Sequence, residues 1–417
     1  MTFPNFSGAF ERRIHLAATF FLCVIPIFLL FARGAADGAV VLIALLFLVR
    51  SGVHRDWSWA REKDILILLV IFVLMNVFVS PFAEHVGKSF GRSLSWLRFV
   101  VFYAAVTRWV LTDERTIRRF TIVLLCTLGV AALDAIYQFF SGWSLLSGQP
   151  MKGRLTGPLD RPNIGMYLSK LGLPALAMAS MLFAVKQSKK IFVFGCALSP
   201  ILLVVVFLSG ERAASVLTLL AVILILFSLF LTGGMARKVS AGLTVVGGIA
   251  LAILLATSDR IWGRVEDLAS VVSDYTDSIY GQLVMMGLRF FGDHPLTGAG
   301  MGNYPLVCED YTALGLTNVP CHPHPHNFYV EWLSDTGLIG TIPFTIFMAM
   351  LYWMGIKVLF GPRETRLLGG LYLGVLVMSL FPFSVTQSLF SNWPAILAWT
   401  SIASAVAALR FATRKAV

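Results

Sequence analysis

Long apolar runs separated by short polar segments make up most of this chain. Each run has roughly the length that crosses a hydrocarbon core as an α-helix. A chain with this pattern is expected to be a polytopic all-α membrane protein with about twelve transmembrane helices, forming one membrane domain over residues 1–417. We place the spans near residues 15–32, 35–49, 65–83, 94–110, 120–140, 164–185, 191–209, 213–232, 239–257, 336–356, 367–387 and 393–410.

Composition supports the membrane assignment. Apolar residues make up 57% of the chain and charged residues 13%, with a mean hydropathy of +0.80. Soluble domains carry about 25% charged residues to cover their surface. A soluble fold is therefore excluded.

The net charge of +11 is explained by membrane topology. With the N-terminus in the cytoplasm, the loops of the twelve-span arrangement place 21 of the 33 basic residues on the inner side. Positive charge on cytoplasmic loops is what orients multi-pass proteins. We therefore predict that both termini are cytoplasmic and that nucleic acid is not a partner.

Two segments on the outer side carry most of the polar sequence, residues 141–163 and 258–335. The second is acidic, with eight acidic and three basic residues over 258–327, which is a poor surface for nucleic acid. It contains an apolar helix that starts near Tyr280 and ends at about Phe291. The turn "TGAGMGN" (297–303) follows no strand, so a dinucleotide site is not indicated; its glycines would let the backbone approach a ligand or another helix.

Two outer arginines are candidates for binding an anion. Arg212 lies in the tight turn "FLSGERAAS" (207–215), where it either pairs with Glu211 or faces a polar cavity that marks a substrate path. Arg161 precedes a proline, and Asn163 is placed to cap a helix that begins at Ile164. That arrangement suits an anion site at the helix N-terminus, and pairing of Arg161 with Asp160 is the alternative.

The most unusual stretch is "CHPHPHNFYVEW" (321–332). His322 and His324 precede prolines and are expected to be extended; polyproline geometry would spread alternate side chains around the axis. One metal ion could bind His322, His324 and His326 together only if the segment were β-like and not polyproline. Asn327 is a predicted cap for a helix starting at Phe328, and the helix dipole would then lower the pKa of His326. A neutral imidazole suits a general base, whereas a structural interfacial histidine is the alternative.

The five cysteines divide into two groups. Cys23, Cys126 and Cys196 lie inside predicted spans, where they behave as small apolar residues. Cys308 and Cys321 share the long outer loop, so they would form a disulfide in an oxidising compartment.

Two of these stretches resemble a known family. "HPHNFYVEWLSDTGLIG" (324–340) and "HPLTGAGMGNY" (294–304) are similar to motifs of the O-antigen ligase and polymerase superfamily. The resemblance implies a membrane glycosyltransferase of the C type in the bacterial inner membrane, acting on the periplasmic side. It implies an undecaprenyl-diphosphate-linked glycan as donor, a lipid A–core acceptor, surrounding membrane lipids and no cofactor or metal.

Carried over residue by residue, the resemblance makes His326 the catalytic base and Arg212 and Arg289 donor-binding residues. Arg161 matches the family's additional outer arginine, also expected to bind the donor, less specifically. The secondary candidates are Arg154, His324, Asn327 and Asp293, the last as an alternative base. Three other functions stay open: a repeat-unit polymerase, a lipid-linked oligosaccharide flippase, and a cell-wall glycan polymerase.

Overall fold

The computed structural model describes residues 7–185, 188–257, 266, 273–381 and 388–415, and this part of the chain is almost entirely helical. We number fourteen helices within it. They are α1 (Ser7–Phe31), α2 (Arg33–His54), α3 (Lys63–Leu74), α4 (Val86–Arg108), α5 (Glu114–Ser141), α6 (Ile164–Ala184), α7 (Lys189–Leu208), α8 (Arg212–Thr232), α9 (Gly234–Thr257), α10 (Ile279–Asp293), α11 (Tyr304–Ala313), α12 (Phe328–Leu359), α13 (Arg366–Leu380) and α14 (Asn392–Lys415).

The prediction of a polytopic all-α membrane protein is confirmed. Among the described residues, ten helices are long and apolar enough to cross a membrane. The third of these spans continues from α3 through a π-turn and a 3₁₀ turn to Phe82. The other two predicted spans fall on α9 and α13, and residues 382–387 of the eleventh predicted span lie outside the described part.

Small residues allow α8 and α13 to pack closely. A side chain added at Gly370 would lie 2.5 Å from Ser228, and one added at Gly374 would lie 3.2 Å from Ala221. Small residues spaced by four let membrane helices approach closely where burial of apolar surface gives no driving force.

The centre of the bundle is aromatic. Buried Trp96 lies between Trp332 and Trp399, with ring centroids 6.0 Å away in each case. Trp332 also stacks on Phe344 at 3.9 Å. Such contacts add to the energy of burial, and they fix α4, α12 and α14 relative to one another.

One end of the bundle is formed by the starts of α1 and α3 and the ends of α2, α4 and α14, and we call it the terminal end. Glu11 of α1 accepts hydrogen bonds from Arg50 at 3.1 Å and from Trp109 at 2.9 Å. Arg410 of α14 pairs with Glu62 at 3.2 Å. The start of α1 and the end of α14 therefore lie on the same side of the bundle. This is required when a chain crosses a membrane an even number of times.

The opposite end carries residues 142–163 and 273–327, and we call it the loop end. Arg98 contacts Asp37 at 3.0 Å and Asn392 at 2.9 Å, which joins α4, α2 and α14. Arg33 pairs with Asp160 of the first loop. The candidate site residues lie at this end.

Candidate active site

The site is built around a break in α12. Gly337 has φ +55° and ψ −158°, so the helix that begins at Phe328 is interrupted there before it continues to Leu359. A residue with a side chain is strained in this conformation, and only glycine adopts it readily. Irregular backbone at membrane depth needs hydrogen-bond partners from neighbouring protein.

Residues 295–300 supply those partners. Leu338 and Ile339 donate their N–H groups to the carbonyls of Pro295 and Leu296 at 2.9 and 3.0 Å. In return, Ala299 donates to the Ser334 carbonyl at 2.7 Å. Pairing of these polar groups stabilises the break.

The glycine-rich turn makes this close approach feasible. Gly298 has φ +64°, and a side chain there would lie 2.6 Å from the backbone of Asp335. Gly302 donates its N–H to the Asp335 carboxylate at 2.7 Å. The sequence left open whether the glycines approach a ligand or a helix, and in the structure they approach α12.

Asn327 forms the predicted cap of α12. Its side-chain oxygen accepts hydrogen bonds from the N–H groups of Tyr329 at 3.0 Å and Val330 at 3.3 Å. His326, immediately before it, has φ +54°. Histidine adopts this left-handed conformation more readily than most residues with a side chain, yet it remains uncommon, so the fold holds this imidazole in a defined direction.

The three histidines lie together, contrary to the spread expected from polyproline geometry. The ring centroid of His326 lies 4.4 Å from that of His324 and 5.5 Å from that of His322. Tyr280, at the start of α10, adds an edge contact with His326 at 5.5 Å. The segment bends at residues 323, 324 and 326, so it does not keep the regular extended spacing.

Burial lowers the pKa values of two of the three histidines, His324 and His326. It lowers the pKa of His326 to about 4, with a smaller contribution from the nearby His322. It lowers the pKa of His324 to about 3, aided by the other two histidines. The direction agrees with the expectation for His326, but the cause is burial and a like-charged neighbour, whereas the helix dipole was expected.

The buried His324 adds an unsatisfied polar atom to the cluster. Its Nδ1 has no hydrogen-bond partner among the described residues. Within the same part of the chain, no group of three or more His, Cys, Asp or Glu residues has an arrangement that could hold a metal ion.

Helix α10 carries Arg289 and Asp293 at the loop end, and its bounds confirm the predicted helix. Arg289 donates to the Leu316 carbonyl at 2.9 Å, and its guanidinium lies 5.0 Å from the Tyr311 ring centroid. The Tyr311 hydroxyl donates to Asp293. Burial and this carboxylate raise the pKa of Tyr311 to about 12.

A disulfide links the histidine segment to α11. The structure joins Cys308 to Cys321, with Cα atoms 5.6 Å apart. Cys321 directly precedes His322, and Cys308 is buried in a small core with Phe290 and Tyr304. The bond therefore fixes the start of the histidine segment to a packed part of the loop.

The N-terminus of α6 differs from the prediction. Asn163 makes no side-chain cap, and Glu211 accepts the N–H groups of Gly165 and Met166 at 2.6 and 3.3 Å instead. Burial raises the pKa of Glu211 to about 7, against the effect of these bonds and of the nearby Arg154. The predicted anion position at this helix end is thus occupied by a carboxylate of the protein itself.

The remaining outer arginines have separate positions. Arg161 is exposed and does not pair with Asp160, which binds Arg33 instead. Arg212 is exposed at the start of α8, next to Glu211. The described contacts of His326 are with histidines and a tyrosine, so convergence of Arg161, Arg212 and Arg289 with His326 stays a prediction.

Sequence reasoning missed two buried carboxyls on α12, Glu331 and Asp335. They lie four residues apart on one helix face and are 3% and 0% exposed. Glu331 accepts the Leu389 N–H at 3.3 Å, while Asp335 accepts that of Gly302. Their spacing within an apolar stretch was the signal, because a charged residue inside a membrane protein normally has a specific partner.

Together the fold and the loop end define a class: a multi-pass helical membrane protein with a histidine cluster beside a broken helix. Residues 197–345, from α7 to beyond the break in α12, match the family described as O-antigen ligase. Over these residues the chain is similar to that family. The matched residues include Arg212, Arg289 and His326, whereas Arg154 and Arg161 precede them. No curated protein matches the chain.

Proposed function

We propose that this protein is an O-antigen ligase of the bacterial inner membrane. It transfers a glycan from undecaprenyl diphosphate to a sugar hydroxyl of lipid A–core on the periplasmic face, with inversion at the anomeric carbon. The observation that carries the proposal is the neutral His326, held at the start of a broken membrane helix within the matched family region.

His326 acts as the general base. The acceptor oxygen bonds to the anomeric carbon as the bond from that carbon to the diphosphate oxygen breaks. The hydroxyl proton passes to His326, and the diphosphate leaves as an anion. Because the pKa of His326 is lowered to about 4, the imidazole is unprotonated near neutral pH and can take that proton.

Arginines stabilise the leaving diphosphate. Arg212 and Arg289 belong to the matched region, and Arg161 and Arg154 lie on the other loop at the same end. Each charge-assisted hydrogen bond contributes about 1.5–3 kcal/mol, and bonds that strengthen as charge develops lower the barrier. On this account no divalent metal is needed, so transfer should survive excess EDTA.

The orientation follows from charge. With the terminal end in the cytoplasm, the basic inner loops satisfy the positive-inside rule. The loop end then faces the periplasm, where a membrane-anchored donor presents its diphosphate at the bilayer surface.

In vitro transfer tests the function. Purified protein receives undecaprenyl-diphosphate glycan with rough lipopolysaccharide, and a parallel sample receives the donor alone. A ligase attaches glycan to the rough lipid, whereas a repeat-unit polymerase lengthens the lipid-linked donor. A protein that yields neither product in detergent, yet moves donor across proteoliposomes, would be a flippase and would overturn the proposal.

A further inference from the structure

A cleft of about 560 Å³ opens at the terminal end, opposite the histidine cluster. Its basic lining comes from Arg61, two residues before α3, from Lys63, the first residue of α3, and from Arg410 on α14. Met350 and Met354 of α12 line it as well. One cleft therefore combines cationic groups with an apolar wall.

The acidic groups of this cleft are already neutralised from within the bundle. Asp64 receives two hydrogen bonds from Arg108 at 2.5 and 2.7 Å and one from Tyr103 at 2.7 Å. Glu62 pairs with Arg410 at 3.2 Å and lies 3.7 Å from Arg108.

Two basic side chains are left over at the rim. Arg61 and Lys63 form no ion pair with any residue in the described part of the chain, and both are exposed. The cleft and Arg108 together hold four basic and two acidic side chains, which leaves two positive charges. An anion is the ligand that this imbalance favours.

The surroundings indicate an anion that is attached to a lipid. On α3, Leu66 and Val70 follow the basic residues and are 48% and 42% exposed. On α12, Ile346 and Trp353 lie within about one turn of the methionines and are 49% and 57% exposed. Both helices belong to predicted membrane spans, so we expect these side chains to face acyl chains, while the basic residues lie where a span ends.

We propose that this cleft binds the headgroup of an anionic phospholipid. Arg61 and Lys63 contact the phosphate, and one acyl chain runs along Met350 and Met354 between α3 and α12. Basic pockets between transmembrane helices recognise anionic headgroups in this way. The site is separate from the donor site, since it lies at the other end of the bundle.

Native mass spectrometry of the full chain in detergent tests the proposal. The probes are phosphatidylglycerol, phosphatidylcholine and inorganic phosphate, each titrated into delipidated protein. The test variant is Arg61→Gln with Lys63→Gln, and the matched control is Lys189→Gln with Lys190→Gln, two exposed lysines at the start of α7. Thermal unfolding without lipid confirms that both variants are folded.

We expect one saturable phosphatidylglycerol adduct on the wild type and on the control. The test variant should bind it roughly thirtyfold more weakly, because each basic residue near a membrane surface contributes about a factor of five. Equal binding of phosphatidylcholine, or unchanged affinity in the test variant, would overturn the proposal. Inorganic phosphate that competes at the same concentration as the lipid would overturn it too, since the acyl-chain contact would then contribute nothing.

Discussion

Two clusters of polar residues, one at each end of the bundle, are built in opposite ways. At the terminal end, the buried Asp64 and Arg108 are paired with each other. At the loop end, His322, His324 and His326 lie against one another without an acidic partner in the described contacts, and burial keeps His324 and His326 neutral. Removing one member of a buried charge pair destabilises a fold, whereas neutral titratable groups such as His324 and His326 are available for chemistry. Substitutions at the two ends should therefore affect different measurements.

The largest effect is expected for His326→Asn. Asparagine tolerates the left-handed conformation but cannot act as a base, so the transfer rate should fall by about 10²–10⁴. Thermal unfolding should change little. His322→Asn is the matched control, since it removes a neighbouring imidazole and should keep most of the transfer rate. An equal loss of rate in both variants would contradict a specific role of His326 as the base.

At the terminal end, Asp64→Asn should act on stability instead. It leaves the buried Arg108 with Glu62, 3.7 Å away, as its remaining charged partner, so a loss of up to about 3–5 kcal/mol in the free energy of unfolding is expected. The control is Asp310→Asn at the loop end, where the exposed pair with His85 should contribute less than about 1 kcal/mol. Chemical or thermal unfolding in detergent measures both, and similar losses would contradict the comparison.

Replacement of Arg289 tests the donor contact. Arg289→Ala should lower kcat/KM for the lipid-linked donor by about tenfold to a hundredfold, the value of one charge-assisted hydrogen bond. Arg289→Lys should keep only part of the wild-type kcat/KM, because lysine lacks the planar guanidinium that can donate two hydrogen bonds to a phosphate. Arg237→Ala, an exposed arginine packed on Phe230, serves as control. Wild-type donor kinetics in Arg289→Ala would exclude it from donor binding.

The break in α12 can be tested with an alanine. Gly337→Ala places a side chain against the Leu296 carbonyl in a backbone conformation that only glycine favours, so a loss of at least about 1–3 kcal/mol is expected. Gly38→Ala in α2 is the control, since nothing lies within 4 Å of the added methyl and a helix interior favours alanine. If both variants lose the same free energy of unfolding, the break at Gly337 does not contribute to stability.

Local features of the site were predictable from the sequence. Asn327 caps α12 because the residue and the N–H groups it accepts are within three positions. The helix of α10 followed from its apolar pattern in the same way. The apolar runs predicted the bundle because length and hydropathy alone decide whether a helix can span a bilayer.

Features that depend on distant residues were not predictable. Asn163 was expected to cap α6, but Glu211 does so from 46 residues along the chain. The apolar run after residue 336 gave no sign of the break at Gly337, which depends on hydrogen bonds from Leu338 and Ile339 to the carbonyls of residues 295 and 296. The histidines were expected to spread, but bends at residues 323, 324 and 326 bring them together.

The central claim is that His326 is uncharged at the pH where the protein works. Because burial lowers its pKa from the ordinary value of 6.5 to about 4, protonation of His326 destabilises the folded state. Any stability that the buried ring contributes is complete above about pH 6.5 and declines as the pH falls toward 4.

The most direct measurement is the ¹⁵N chemical shift of the His326 ring between pH 4 and 8. Histidine-labelled protein in detergent provides the signal, and His326→Asn identifies it by its disappearance. The account predicts a neutral ring at pH 6 that becomes protonated only near pH 4. A ring that titrates near pH 6.5, or is already protonated at pH 7, would contradict it.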